Sequence, residues 1–409
     1  NSNGGWGIYA PMGSLTVQGA QITGNGGIYV GESLTALAIN GSADSMTKIA
    51  SNTLENPALQ YACNLNTTLS YTSFSGSTTS TGIQADAGTL NLENTVTVSG
   101  YIKIAENATV TTSASTVSRI NSNGNLNVQE GTIDFVTVSG GNTVIKNGTI
   151  SNVQVDKEQA KVSAEGGTIG TVELYGRQTV LHSNGQAVIN NLKLTGKDTK
   201  LLLSDIPSAA SSQTSVTVSA DNQNDGQVLV APEEQLSDIS GYTSYFTLNP
   251  NDGIHTLEGK KPNIILRVSG LFVDTTYGND KTGDGSLGKP YKTFMKSGEA
   301  LEERLRKDPK TAANIIVKEE NGATITGDDT LLISDAYKDE VKVIPYRDKG
   351  QVSSLITIPE GASFTAENVE FNGKKGDKFV ATNIFTVNGG DLLFKSGTTT
   401  SNANSDYLI

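Results

Sequence analysis

The chain has 409 residues, 36 % of them apolar, with one cysteine, two histidines and a formal net charge of −12. That length holds two or three globular domains, or one or two elongated solenoids. The acidity argues against nucleic acid, which needs a clustered basic face, and against anionic membrane surfaces. The lone Cys63 excludes an internal disulfide and reads as a small buried hydrophobe.

Residues 1–40 open a repeat. Gly7-Ile8-Tyr9-Ala10 is followed by Gly13-Ser14-Leu15-Thr16-Val17, and Gly27-Ile28-Tyr29-Val30 starts the next turn. The phrase returns as Gly82-Ile83-Gln84-Ala85 and Gly88-Thr89-Leu90-Asn91-Leu92, and the interval from Ile8 to Ile83 equals that from Leu15 to Leu90. Two-residue alternation turns Leu15, Val17, Leu90 and Leu92 inward, and Thr16 and Asn91 outward. Residues 45–53 and the Ser/Thr run at 72–81 read as loops inserted between turns.

From Gly131 to Leu203 the repeat is compact. Ile133, Ile150, Ile169 and Ile189 recur at intervals of 17, 19 and 20. Each precedes an apolar-x-apolar pair: Val136/Val138, Val153/Val155, Val172/Leu174 and Leu192/Leu194. A further apolar site follows each pair, at Val144, Val162, Val180 and Leu201. A fixed period of this size signals a solenoid, in which like residues stack on like and backbone hydrogen bonds run along the axis. The small-residue stretch 208–215 reads as a loop or bend. Strands resume at 216–218 and 228–230, and 245–248, 254–257 and 264–266 form a meander placed to cover the last turn, whose core and amides would otherwise be open.

A second set of motifs begins at Leu271. Phe272-Val273-Asp274, Gly278-Asn279-Asp280, Asp284-Gly285-Ser286 and Pro290-Tyr291-Lys292-Thr293-Phe294 follow in that order. This series resembles the opening of bacterial right-handed β-helix proteins of the pectate-lyase-like superfamily. The segment before it resembles the terminal part of solenoids in large bacterial surface proteins. The resemblance implies a strand, a Gly/Asp turn and a short helix capping a solenoid. The helix is expected at about 292–307, with Phe294, Gly298, Leu301 and Leu305 on one face and Asp308-Pro309 ending it. Strands follow at 315–317, 331–333, 341–344, 355–358, 369–371, 384–387 and 392–394. The expected fold is therefore all-β: two right-handed parallel β-helices in tandem. Residues 1–265 form the first, with a C-terminal β cap at about 205–265, and residues 266–409 form the N-terminal cap and first turns of the second. Left-handed hexapeptide solenoids keep a strict six-residue period, which spacings of 17, 19 and 20 do not fit.

Enzymes of the pectate-lyase-like class mostly cleave acidic polysaccharides, using carboxylates around the bond or a calcium-held substrate with a basic group. Asp328-Asp329 resembles the paired aspartates of the polygalacturonase branch, but the Gly-His-Gly and Arg-Ile-Lys of that branch are absent, and turn chemistry is the favoured reading. Asp280-Lys281-Thr282-Gly283-Asp284-Gly285 partly resembles a calcium loop. Thr282 and Tyr291 occupy positions where that loop needs ligands, so a structural turn is favoured. His182 and His255 stand far apart, which leaves no Cys/His metal site. Arg119, Arg177, Arg267 and Arg347 are widely spaced. No catalytic residue, metal or cofactor is expected.

Trp6, Tyr9 and Tyr29 are the candidate ligand-binding residues. The two tyrosines face outward on successive turns, where aromatic faces either take sugar rings or serve only as a packed ladder. No signal peptide stands at Asn1 and no sorting signal follows Ile409, so the sequence reads as a piece of a longer protein. No apolar run reaches the length of a membrane span. The expectation is a monomeric, non-catalytic adhesin or stalk of a bacterial surface or secreted protein, extracellular, with a glycan or a host surface or matrix protein as partner. The alternative is a polysaccharide lyase or glycoside hydrolase whose active turns lie partly outside these residues. A trimeric phage or secreted fibre is a third reading.

Overall fold

The structure is a computed structural model that describes residues 5–23, 26–51, 56–76, 81–158, 160–207, 213–219, 222–249, 254–308, 313–346, 352–375 and 378–401. Contacts divide the chain into two compact units. The first comprises Asn1–Asn222, Val228–Thr247 and Gly259–Ile264, and the second Gln223–Gln227, Leu248–Glu258 and Ile265–Ile409. Both are built from parallel strands that pair with their counterparts one turn on, which makes the fold an all-β solenoid.

In the first unit the isoleucine repeat is part of a longer column. Ile22, Ile49, Phe74, Val98, Val117, Ile133, Ile150, Ile169 and Ile189 pair in unbroken succession. A second column runs Ile8, Ile28, Leu59, Ile83, Ile102, Ile120, Val136, Val153, Val172, Leu192 and Val216. The interval from Ile8 to Ile83 thus spans three turns. Most of these side chains are fully buried. Stacked β-branched residues suit the strand backbone and remove apolar area from water at about 25 cal/mol per Å².

A corner separates the two columns within one long strand. In Gly131–Val138, Ile133 and Val136 both point inward although an odd number of positions apart, and Asp134 drops out of the pairing. The glycine two residues before Ile133, Ile150 and Ile169 has its own cause. Gly131, Gly148 and Gly167 have φ of 118°, 99° and 76°. A Cβ on Gly148 would lie 2.7 Å from the Gly131 carbonyl oxygen. The Gly-Thr-Ile phrase is therefore a turn requirement that recurs from rung to rung.

One expectation needs correction here. Thr47–Ala50 and Thr72–Ser75 are paired strands, not inserted loops; they carry Ile49 and Phe74 into the first column. Four-residue strands with one large apolar side chain lack an apolar pattern to mark them, and stacking on neighbours defines them instead. Of those stretches, residues 52–53 and 77–80 lie outside the described residues. The third inward column is Leu126, Thr143, Val162, Leu181 and Leu201, so Thr143 and Leu181 stand in it rather than their apolar neighbours Val144 and Val180. Ile145 and Ser183 point inward from the same strands, and alternation then fixes the parity.

The second unit stacks three parallel sheets. One contains Gly270–Val273, Asn314–Val317, Lys342–Pro345, Glu370–Asn372 and Thr399–Ser401. Another contains Ala323–Thr324, Val352–Pro359 and Ala381–Asn388, and the third Asp328–Leu332, Ser363–Glu367 and Asp391–Phe394. Every strand expected between 315 and 394 is present. Ser363–Glu367 is an addition, because Ser-Phe-Thr-Ala-Glu carries a single large apolar residue and so no visible alternation. The core is rich in aromatic rings where that of the first unit is mainly aliphatic. Phe371 lies 6.1 Å from Phe364, 4.8 Å from Phe385 and 6.3 Å from Phe394, ring centre to ring centre. Helix α1, Phe294–Lys307, lays Phe294, Gly298, Leu301 and Leu305 onto this core. Thr293 caps it by accepting the Lys296 N–H at 3.1 Å.

Candidate functional site

Tyr9 and Tyr29 occupy paired positions on successive turns, as the repeat requires. Their rings are stacked at 4.9 Å with planes 16° apart, and Trp6 leans on Tyr29 at 5.5 Å and 48°. Tyr9 is 63 % exposed, while Trp6 and Tyr29 are half-buried. Burial is the main cause that pushes the Tyr29 phenol up, followed by the neighbouring Tyr9, Glu32 and Asp86. The same outward column continues through Gln60 and Gln84. Gln60 and Gln84 both donate to the Asp86 carboxylate, at 2.8 and 2.9 Å. The three aromatic candidates thus form one patch, bordered by a fixed amide–carboxylate clamp. Such a surface offers flat apolar rings beside ordered polar groups, the composition that takes a pyranose face and its hydroxyls.

The acidic motifs of the second unit do other work. Asp329 accepts hydrogen bonds from the Phe294 and Met295 N–H groups at 2.9 and 3.0 Å, and is 7 % exposed. It satisfies the free donors at the start of α1 and meets the positive end of the helix dipole. Its carboxyl is nevertheless pushed up, because burial outweighs these bonds. Asp328 is exposed and accepts from Ser363 Oγ at 2.7 Å. The Asp pair therefore points to opposite sides of a strand.

Asp280, first residue of the calcium-like loop, accepts from the Lys292 and Thr293 N–H groups at 2.7 and 3.1 Å and from Thr293 Oγ1 at 2.9 Å. Protein donors stand where a cation's charge would be needed. Among the described residues no three His, Cys, Asp or Glu side chains converge as metal ligands. His182 pairs through Nδ1 with Glu233, on the first unit.

One grouping is hidden from a reading by residue type. Tyr101, Arg119 and Phe135 pair on successive turns. The Arg119 guanidinium carbon sits 5.5 Å from the Tyr101 ring centre and 4.6 Å from that of Phe135. The signal lies in the spacing, since the numbering sets the three about one turn apart, much as it does the isoleucines. Comparing arginines only with one another passes over it; comparing each with the residues one turn away finds it.

Among the described residues no helix is long and apolar enough to cross a membrane. Compared with protein-family models, with curated proteins and with solved structures, the chain matches none.

Proposed function

We propose that this chain is a rigid binding scaffold, an adhesin or stalk, from a bacterial surface or secreted protein that acts outside the cell as a monomer. In this reading the second unit is of the pectate-lyase-like type in fold but not in chemistry. The observation that carries the proposal is the Tyr9–Tyr29 stack with Trp6 against it, on the outward side of a parallel solenoid. Stacked strands supply length and stiffness, and the aromatic rungs supply a place to hold a glycan. The buried Asp329 and the backbone-bonded Asp280 speak against the lyase or hydrolase alternative, since both carboxylates already serve the cap of α1.

A glycan and matrix-protein array probed with the wild-type chain and with Trp6→Ala/Tyr9→Ala tests this reading. Binding to a defined glycan that the double variant loses by about tenfold or more is expected, aromatic anchors being the usual hot spots of such contacts. An array on which both chains give the same signals would refute the assignment of this patch. Depolymerisation of an acidic polysaccharide by the purified chain would refute the non-enzymatic reading. A stable trimer in light scattering would favour a fibre.

A further inference from the structure

The Tyr101–Arg119–Phe135 column lies beside an open recess of about 610 Å³. Ser118, Asp134, Ser151 and Asn152 also line it. Arg119 is exposed, and among the described residues its guanidinium has neither a hydrogen-bond partner nor a carboxylate within ion-pair distance. A ring on each side restrains the long side chain and leaves the guanidinium edge as the open direction for its donors. The ordering cost that a free arginine meets on binding has thus been met in advance.

We infer that this recess is a second ligand site and that it takes a saccharide carrying a single carboxylate. Arg119 donates to the carboxylate in the bidentate manner for which guanidinium is suited. The hydroxyls of Ser118 and Ser151 and the amide of Asn152 face sugar hydroxyls, and Asp134 accepts from another. Going up the same column from Phe135, the outward residues are Asn152, Thr171, Asn191 and Ser215. None of these carries a second cation. A polymer with a carboxylate on every ring would find one partner and then Asp134, so the arrangement fits one isolated or terminal acidic sugar. This inference deepens the glycan-binding reading and rests on it, but at a site separate from the Trp6–Tyr9–Tyr29 patch.

Titration of the full chain with sialyllactose, lactose and a galacturonic acid oligomer, followed by ligand-observed NMR and calorimetry, tests it. Sialyllactose is expected to bind, lactose at least about tenfold more weakly, matching the loss of one charge-assisted contact. Arg119→Gln should remove that preference, with circular dichroism confirming an unchanged fold. Affinity should fall as salt is raised, as exposed charge pairs do. Trp6→Ala/Tyr9→Ala should leave sialyllactose binding intact, which separates failure of this site from failure of the aromatic patch. Equal binding of sialyllactose and lactose, or retention of the preference in Arg119→Gln, would overturn the inference. Binding of the galacturonic acid oligomer tighter than sialyllactose would overturn the single-carboxylate assignment.

Discussion

The two units use the same pairing to different ends. In the first, Ile133, Ile150, Ile169 and Ile189 place one aliphatic rung on each turn, and glycines with positive φ turn the chain between rungs. In the second, turns are longer, as the wider gaps in number between the paired Ile315, Val343 and Phe371 show. Phe364, Phe371, Phe385 and Phe394 interlock, largely edge to face, across several strands. Register in the first unit is thus a local property, enforced at each turn. In the second it depends on a few large side chains shared among turns, together with a helix fixed by Asp329 and Asp280. A solenoid can be specified either way.

The contrast can be broken most directly in the aromatic core. Phe371→Ala should cost about 3–5 kcal/mol, because a cluster of rings cannot collapse into the space left behind. Urea unfolding, followed by a probe in the second unit, reads this loss. Ile150→Ala in the first unit should cost about 2–4 kcal/mol. Its amide-exchange effects should stay within the neighbouring rungs of Ile133 and Ile169, as nearest-neighbour stacking requires. Exchange that spreads through the whole first unit would erase the distinction between local and shared register.

Acid sharpens the comparison, because among the described residues the buried carboxyls lie in the second unit. Glu319 accepts from Thr275 Oγ1 at 2.5 Å, and its other oxygen is buried without a partner among the described residues. Burial pushes this carboxyl above its ordinary value of 4.5. The folded unit therefore binds the proton more tightly than the unfolded chain. That contribution is complete below pH 4.5 and is lost as pH rises through the raised value. Glu319→Gln should flatten this part of the stability–pH curve; an unchanged slope would show that Glu319 does not set it.

The smallest effect should have the opposite sign. Thr143 is fully buried, and its hydroxyl has no partner among the described residues. Thr143→Val keeps the shape, removes the orphan and should raise the stability of the first unit by roughly 1 kcal/mol, seen as a higher urea midpoint.

Much of the architecture is legible because a solenoid writes its period into the chain. Ile8 and Ile83 mark three turns even where the intervening Leu59 belongs to an irregular segment. The helix is legible because Phe294, Gly298, Leu301 and Leu305 share a face. Thr143 and Leu181 are easily misplaced by one position because each adjoins a valine that looks at least as apolar, and only the parity of the whole strand decides. Thr47–Ala50 is hidden because so short a strand has too few positions to show alternation. The role of Asp329 lies beyond the sequence, since its partner is a backbone N–H distant along the chain. Trp6, Tyr9 and Tyr29 stand out because outward aromatic residues repeat from one turn to the next. Arg119 does not, because its column mixes a cation with two rings, and mixed columns have no period of their own.

The direction of the backbone hydrogen bonds has a mechanical consequence. They run along the axis from rung to rung, so tension applied along that axis loads the terminal turn first rather than shearing many strands at once. The chain should yield one turn at a time. At about 3.4 Å per extended residue, each turn between Ile133 and Ile189 releases on the order of 60–70 Å of slack. A solenoid built this way lengthens under pull in small, nearly equal steps while the turns behind the break stay folded.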